Sequence, residues 1–171
     1  KVYDKRPEAS QKYAEAMEAR LKLKVRAVAT IEAAADADIV VAVTPATTPI
    51  IQKQHIRPGT HINAIGADAK GKEELEPEIL KTAKIIVDNI EQAAHSGEIN
   101  VPILQGVITV DDIYATLGEV VTHRKKGREN NDEITVFDST GLAILDIGCA
   151  RLVYNKAREK GLPGFRLQSC A

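Results

Sequence analysis

Three stretches of this chain are rich in apolar residues along most of their length: DIVVAVT (38–44), THINAIG (60–66) and AKIIVDN (83–89). Continuous runs, rather than strict alternation, are expected of strands buried on both faces in a parallel sheet covered by helices. Between and around them the period changes. RPEASQKYAEAMEARLK (6–22) opens with Pro7 and spaces Tyr13, Ala14, Met17 and Leu21 as a helix does. TIEAAADAD (30–38) reads as a short helix opened by Thr30, with Glu32 one position short of a capping box. KVYD (1–4) and KVRAVAT (24–30) read as short strands, and TPATTPIIQKQHIRPG (44–59) as a proline-rich loop. KEELEPEILKTA (72–83) reads as a helix. The resulting order of strand, helix, strand, helix, strand, loop, strand, helix and strand predicts an α/β fold with a doubly wound parallel sheet.

Further along, TVDDIYATLGEVVTHRKKG (109–127) reads as a helix stopped by Gly127, and NDEITVFDST (131–140) as a short strand. STGLAILDIGCARLVYNKAREKG (139–161) places apolar residues at 142, 145, 149, 152 and 153 and gathers basic residues at its end. It predicts a long amphipathic helix, capped by Asp138 or Ser139 and ended by Gly161. The tail LPGFRLQSCA (162–171) carries no pattern and is expected to be loose. The pattern divides the chain into a sheet-forming part, 1–137, and a terminal helix and tail, 138–171.

Composition narrows the chemistry. The chain has 171 residues and a net charge of -1, so nothing in its charge recommends nucleic acid or a membrane surface as partner. No apolar run approaches the roughly 20 residues needed to span a bilayer. Two cysteines, Cys149 and Cys170, make a disulfide framework an unlikely design and a reducing cytoplasm the default setting. The four histidines are scattered, and no metal site is expected. His61 and His123 read as structural or surface residues, and RKKGRE (124–129) as a solvated helix end.

In a doubly wound sheet, ligands bind beyond the carboxyl ends of the strands. The strand ends here are Asp4, Thr44, Gly66-Ala67-Asp68 and Asp88-Asn89. Asp4 can accept the ribose hydroxyls of a dinucleotide and would repel a 2′-phosphate; Arg6 beside it pulls the other way. As plain structure, an Asp just before Pro7 caps a helix. Gly66 and Ala67 let a ligand approach the backbone. Asp68 follows them as a carboxylate that an apolar site would raise in pKa for proton transfer, or as a turn former. Lys72, on a glycine-softened loop, can meet a ribose or phosphate or stand in solvent. Ser139-Thr140-Gly141, at a helix start, offers free N–H groups to a polar ligand edge as well as a cap. A GxGxxG loop should lie about 20 residues before Asp4. It is not in the sequence, so either the sequence continues a longer protein or a dinucleotide is not the ligand.

Three segments taken together are specific: GTHINAIGADAKGKEELEPEIL, IIVDNIEQAAHSGEI and GRENNDEITVFDSTGLAILDI. In this order they resemble the ornithine cyclodeaminase and mu-crystallin family, most of all its archaeal-type alanine dehydrogenase branch, from about Lys1 to Gly161. The resemblance implies a homodimer of two-domain subunits, each with a Rossmann NAD domain and a substrate domain that also makes the dimer interface. It implies that Asp68 is the catalytic aspartate and Lys72 an NAD-binding lysine. The backbone of Ile65, Gly66 and Ala67 would contact the cofactor near its nicotinamide; Ser139 would also contact the cofactor, and Thr44, at a strand end, would lie along it. Thr140 would face substrate and Asp4 the ribose. The implied reaction is NAD-dependent oxidation of a small L-amino acid, with L-alanine giving pyruvate and ammonia. The alternatives within the family are ornithine cyclodeamination to proline and non-catalytic small-molecule binding. The family's phosphate loop and substrate-binding basic residues precede this region, so the resemblance implies a C-terminal part, with an exposed sheet edge and a helix that needs a partner.

Overall fold

The computed structural model describes residues 1–164. They form two compact units, one from Lys1 to Thr140 and one from Gly141 onward. The first unit contains α1 (Pro7–Leu21), α2 (Ile31–Ala35), β1 (Ile39–Ala42), β2 (Thr47–Ile51), β3 (His61–Ala64), β4 (Glu73–Leu75), α3 (Pro77–Leu80) and β5 (Lys84–Val87). It continues with α4 (Ile90–Ser96), α5 (Asn100–Leu104), β6 (Ile113–Thr116), α6 (Leu117–Val121) and β7 (Thr135–Asp138). Five strands make one sheet in the order β1-β3-β7-β5-β6, and every neighbouring pair is parallel. The α/β architecture with a parallel sheet is therefore as expected.

Apolar side chains of the three central strands form the core. Ile62 of β3, Val136 of β7, and Ile85 and Val87 of β5 are fully or almost fully buried, together with Leu75, Ile79, Leu80 and Ile99. The edge strand β1 departs from the expectation of burial on both faces. Val40 and Ala42 point inward, while Ile39, Val41 and Val43 are 63%, 59% and 65% exposed. An edge strand has neighbours on one side alone, and among the described residues this face of β1 is uncovered.

Several elements differ from the sequence pattern. KVYD and KVRAVAT meet only as one parallel bridge, Val2 with Ala27, in which the Val2 N–H donates to the Arg26 carbonyl and the Val28 N–H to that of Val2. The proline-rich loop contains β2, which pairs in parallel with β4 as a separate two-stranded sheet. β4 itself occupies the start of the segment expected to be helical, and only Pro77–Leu80 forms a helical turn there. The segment 109–127 is not one helix. It gives β6, an edge strand, and then α6, started by a capping box in which Thr116 and Glu119 satisfy each other's backbone N–H. A β-branched and aromatic stretch, Ile113-Tyr114, enters the sheet before the helix signal takes over.

The unit from Gly141 contains α7 (Ala143–Glu159), a 17-residue helix. Its N-cap is Leu142, with no side-chain cap, so neither Asp138 nor Ser139 caps it. Gly161, at φ +63°, follows its last turn as expected. Ile144, Leu145, Ile147, Leu152, Val153 and Tyr154 of α7 are all exposed. Within the tail 162–171, residues 165–171, including Cys170, lie outside the described part. No helix among the described residues is long and apolar enough to cross a membrane.

The interior of the first unit also holds acids. Glu74, Glu98 and Asp138 are 0% exposed, and so is Asn100. Burial drives the Glu98 carboxyl up to about 9, against the pull of backbone N–H donors from Leu75 and Glu74. Burial likewise raises Asp138 to about 7, opposed by the N–H groups of Glu98 and Ile99. The folded protein thus keeps protons that the unfolded chain has already released, so these two groups make stability fall as pH rises. Their window runs from the ordinary carboxylate range up to about 9 for Glu98 and about 7 for Asp138. Carboxylates held low by cations, such as Asp36 beside Lys1 and Arg57, act with opposite sign and only at the acid end.

Two predictions follow from this interior. The urea midpoint should fall steadily from pH 5 to pH 9 in the native sequence, and Glu98→Gln should flatten the fall; an unchanged slope in the variant removes Glu98 as its source. Gly66 is packed so tightly that an added Cβ would lie 2.2 Å from the Thr44 carbonyl oxygen and 2.6 Å from the Glu74 carboxyl carbon. Gly66→Ala should therefore cost about 1–3 kcal/mol by overpacking, read as a lowered midpoint with unchanged denaturant slope.

Candidate functional site

Because all five strands run the same way, their carboxyl ends meet at one rim. The register aligns Ala42, Ala64, Asp138 and Val87 across four of them. The residues that follow are Thr44, Ile65 to Asp68, Ser139-Thr140 and Asp88-Asn89. The strand-end candidates thus come together, except for Asp4. That residue stands before α1, where its N–H donates to Ser10 Oγ (2.6 Å) and its Oδ1 accepts the Arg6 N–H at 2.8 Å. The same oxygen meets Arg6 Nε at 3.4 Å. The Arg6 backbone N–H is the main reason the Asp4 carboxyl lies below the usual range. Asp4 thus forms a turn onto the Arg6 N–H and is not the helix cap: the N-cap is Arg6, and no side chain caps α1.

Asp68 leaves the end of β3 into solvent, its side chain 61% exposed, and pairs with Lys72 Nζ at 2.5 Å. The expected raised pKa is not found. The Lys72 ammonium, by hydrogen bond and by charge, holds the Asp68 carboxyl below its ordinary value. A cation four residues on outweighs the apolar strand end because the carboxylate turns away from it. In this arrangement Asp68 is an ionised proton acceptor with its countercharge attached.

The glycine and alanine before it play different parts. Gly66 is held to a bare hydrogen by the Thr44 backbone and the Glu74 carboxyl, which an added Cβ would meet. Its N–H donates to Glu74 Oε2 at 2.9 Å, and the Thr44 N–H donates to Glu74 Oε1 at 2.6 Å. The last backbone rung between β1 and β3 is Ile65 N–H to the Ala42 carbonyl, 2.9 Å. Ala67 is buried. The backbone donors of Ile65 and Gly66 are therefore already used, which leaves carbonyl edges and side chains to meet a ligand.

The Ser139-Thr140 donors are not the free groups of a helix start. The Ser139 N–H donates to the Ala64 carbonyl at 3.0 Å. The Thr140 N–H and Oγ1–H donate to the two oxygens of Asp88, at 2.7 and 2.9 Å. α7 begins three residues later, so the geometry expected of a helix N-terminus does not apply. What Ser139 can offer at the rim is its hydroxyl.

Three residues went unremarked in the sequence pattern, Glu74, Glu98 and Asn100, while Asp138 was expected as a helix cap and Asp88 as a strand end. Glu98 accepts from the Glu74 and Leu75 N–H groups, both to Oε1, at 2.9 and 2.6 Å. Asn100 Oδ1 accepts the Gly71 N–H at 2.9 Å, and its amide donates to the Lys72 carbonyl at 3.0 Å. Asp138 Oδ2 accepts the Ile99 N–H at 3.3 Å. Gly97 makes room for it, since a Cβ there would lie 2.5 Å from that oxygen. The available signal was an acid directly after a glycine in SGEIN and paired acids before a buried leucine in EEL. Both also fit an ordinary polar surface. No group of three or more His, Cys, Asp or Glu side chains able to hold a metal occurs among the described residues.

Comparison with known proteins agrees with this geometry. Residues 1–161 match the model of the ornithine cyclodeaminase/mu-crystallin family. The chain is 48% identical over 163 residues to an alanine dehydrogenase from Archaeoglobus fulgidus, covering 95% of this chain and 50% of that protein. It superposes on an archaeal alanine dehydrogenase dimer with bound NAD at TM-score 0.90 and 47% identity, covering 98% of this chain and 51% of the other. The Δ1-pyrroline-2-carboxylate reductase of Thermococcus litoralis, in complex with NADH and L-proline, superposes at TM-score 0.92 and 39% identity, over 96% and 52% of the two chains. The chain thus spans about half the length of the relatives it matches. Matched by the family model across 161 residues, with the fold of those enzymes and a strand-end rim to go with it, the chain belongs to the ornithine cyclodeaminase/mu-crystallin family.

Proposed function

We propose that this chain is the NAD-binding part of an oxidoreductase for a small L-amino acid, with oxidative deamination of L-alanine to pyruvate and ammonia as the reaction. The observation that carries the reading is the Asp68–Lys72 pair on the loop leaving β3, at the carboxyl rim of a parallel sheet. The 48% identity to an alanine dehydrogenase supports the substrate. The residues at hand fit a dinucleotide. The rim is lined by strand ends, one exposed carboxylate and one ammonium, and a second acid, Asp4, keeps a side chain 43% exposed next to α1. NAD would be held by Asp4 at the ribose, by Lys72, by the Ser139 hydroxyl and by the backbone of Thr44 and Ile65 to Ala67. When bound, it supplies a nicotinamide that accepts hydride from the substrate α-carbon.

The chain's own part is to hold and move protons. Asp68, ionised by the pull of Lys72, takes a proton from the substrate amine or from the attacking water. Lys72 must swing from Asp68 to the cofactor for this, and in doing so releases the carboxylate to a higher proton affinity. Thr140, pinned by Asp88, faces the substrate. The expected boundary at 138 moves to Gly141, since β7 runs to Asp138 and the first unit to Thr140; the unit from Gly141 onward serves the substrate and dimerisation domain, and the complete protein works as a homodimer. A second reading, reduction of a cyclic imino acid, is favoured by the likeness to the reductase with L-proline.

Assay of the complete gene product separates these readings. NADH should form with L-alanine, and activity confined to L-ornithine or L-proline would replace the alanine reading. Cofactor binding without turnover on any of the three would favour a binding protein. Asp68→Asn should lower kcat by about 10²–10⁴-fold, the usual contribution of a positioned acid–base group, while NADH binding by fluorescence stays within a few-fold. Retained turnover in that variant ends the proton role. A strong preference for NADP would end the assignment of Asp4.

A further inference from the structure

The loop that carries Asp68 and Lys72 is fastened at both ends from below by side chains that touch neither of those two charged groups. At its start, the two oxygens of Glu74 accept the N–H groups of Thr44 and Gly66, at 2.6 and 2.9 Å. At its end, Asn100 accepts from Gly71 at 2.9 Å and donates to the Lys72 carbonyl at 3.0 Å. The fastening groups are themselves held in place. Glu98 accepts the backbone N–H of Glu74 at 2.9 Å and fixes the strand from which the Glu74 carboxyl reaches upward. Asp138, at the end of the central strand β7, accepts the Ile99 N–H between Glu98 and Asn100. All four side chains are 0% exposed.

We propose that Glu74 and Asn100, backed by Glu98, are positioning residues that set where Asp68 and Lys72 stand for catalysis. The inference rests on the proton role of Asp68 given above. The loop from Ala67 to Gly71 is short, its middle is exposed, and besides the Asp68–Lys72 pair itself one backbone hydrogen bond, Lys72 N–H to the Ala69 carbonyl at 3.1 Å, shapes it. Such a loop has few contacts of its own to hold a side chain within the fraction of an ångström that proton transfer needs. The buried network supplies that rigidity from two anchors flanking the loop.

In Glu74→Gln, one of the two acceptors becomes an amide N–H₂ that faces a backbone N–H, so either Thr44 or Gly66 is released. Asn100→Ala frees Gly71 and the Lys72 carbonyl. In the complete gene product each variant should lower kcat tenfold or more, with KM for the amino acid within threefold of the native value. Ile79→Val serves as the control: Ile79 is equally buried but outside this network, and its truncation lowers Tm without touching the loop. If Glu74→Gln does not fold, Asn100→Asp takes its place, because it keeps the volume and the acceptor for Gly71 and loses only the donors. Unchanged kcat in the network variants overturns the proposal, as does an equal kcat loss in Ile79→Val at matched Tm. Asp68→Asn, measured alongside, tells the two levels apart. If Asp68→Asn is inactive and the network variants are normal, positioning alone fails; if Asp68→Asn turns over normally, the proton role beneath it fails.

Discussion

The site depends on one carboxylate spanning two strand ends. Parallel β1 and β3 share backbone hydrogen bonds only as far as Ile65 to Ala42. Beyond that rung the backbone pairing stops although the chains stay close, and the N–H groups of Thr44 and Gly66 turn to a side chain for their acceptors. Buried donors without partners are costly. Glu74 answers both with its two oxygens, which needs a side chain of that length arriving from β4 and no Cβ on Gly66. Once those conditions hold, the exit direction of the loop is set, and Asp68 and Lys72 stand at the rim rather than against the sheet.

Much of the frame was legible because it rests on local signals. The apolar runs of β1, β3 and β5 announce themselves, and Thr30 and Gly161 mark helix ends by their own chemistry. What failed depended on distant partners. β7 is a weak strand by pattern, yet it is the middle of the sheet, since Val136 pairs with Ile62 on one side and Ile85 on the other. Nothing local to NDEITVFDST shows that placement. β4 reads as a polar helix because two of its three residues are glutamates, and the partners that receive the second of them, Glu74, are Thr44, Gly66 and Glu98, all outside that stretch of sequence. β6 was hidden by the capping box that follows it, a strong helix signal one residue past the strand end.

The site divides the same way. The strand-end rule picked out Thr44, Gly66, Asp68 and Asp88, which the parallel register sets along one rim, and the spacing of Asp68 and Lys72 on a tight loop lets them pair. The sign of the Asp68 shift was not legible. It turns on whether the carboxylate faces the apolar strand end or the ammonium, and that is a matter of a single side-chain direction. The helix-start reading of Ser139-Thr140 failed for a similar reason: Asp88 and Ala64 claim those donors, and the helix starts later.

Three acids and an amide buried in one small region are a poor way to make a protein stable. Apolar residues of similar volume would avoid the desolvation that pushes Glu98 to about 9 and would leave stability insensitive to pH over the neutral range. They would also leave the N–H groups of Thr44, Gly66, Gly71 and Glu74 without acceptors and release the loop from both anchors. The network therefore trades interior stability for a defined backbone path at the rim, the kind of exchange expected where geometry matters more than the depth of the folded well. Its placement argues the same point: these buried groups gather under the loop that bears the site's exposed ion pair, while the hydrophobic core formed by β3, β5 and β7 packs in the ordinary way.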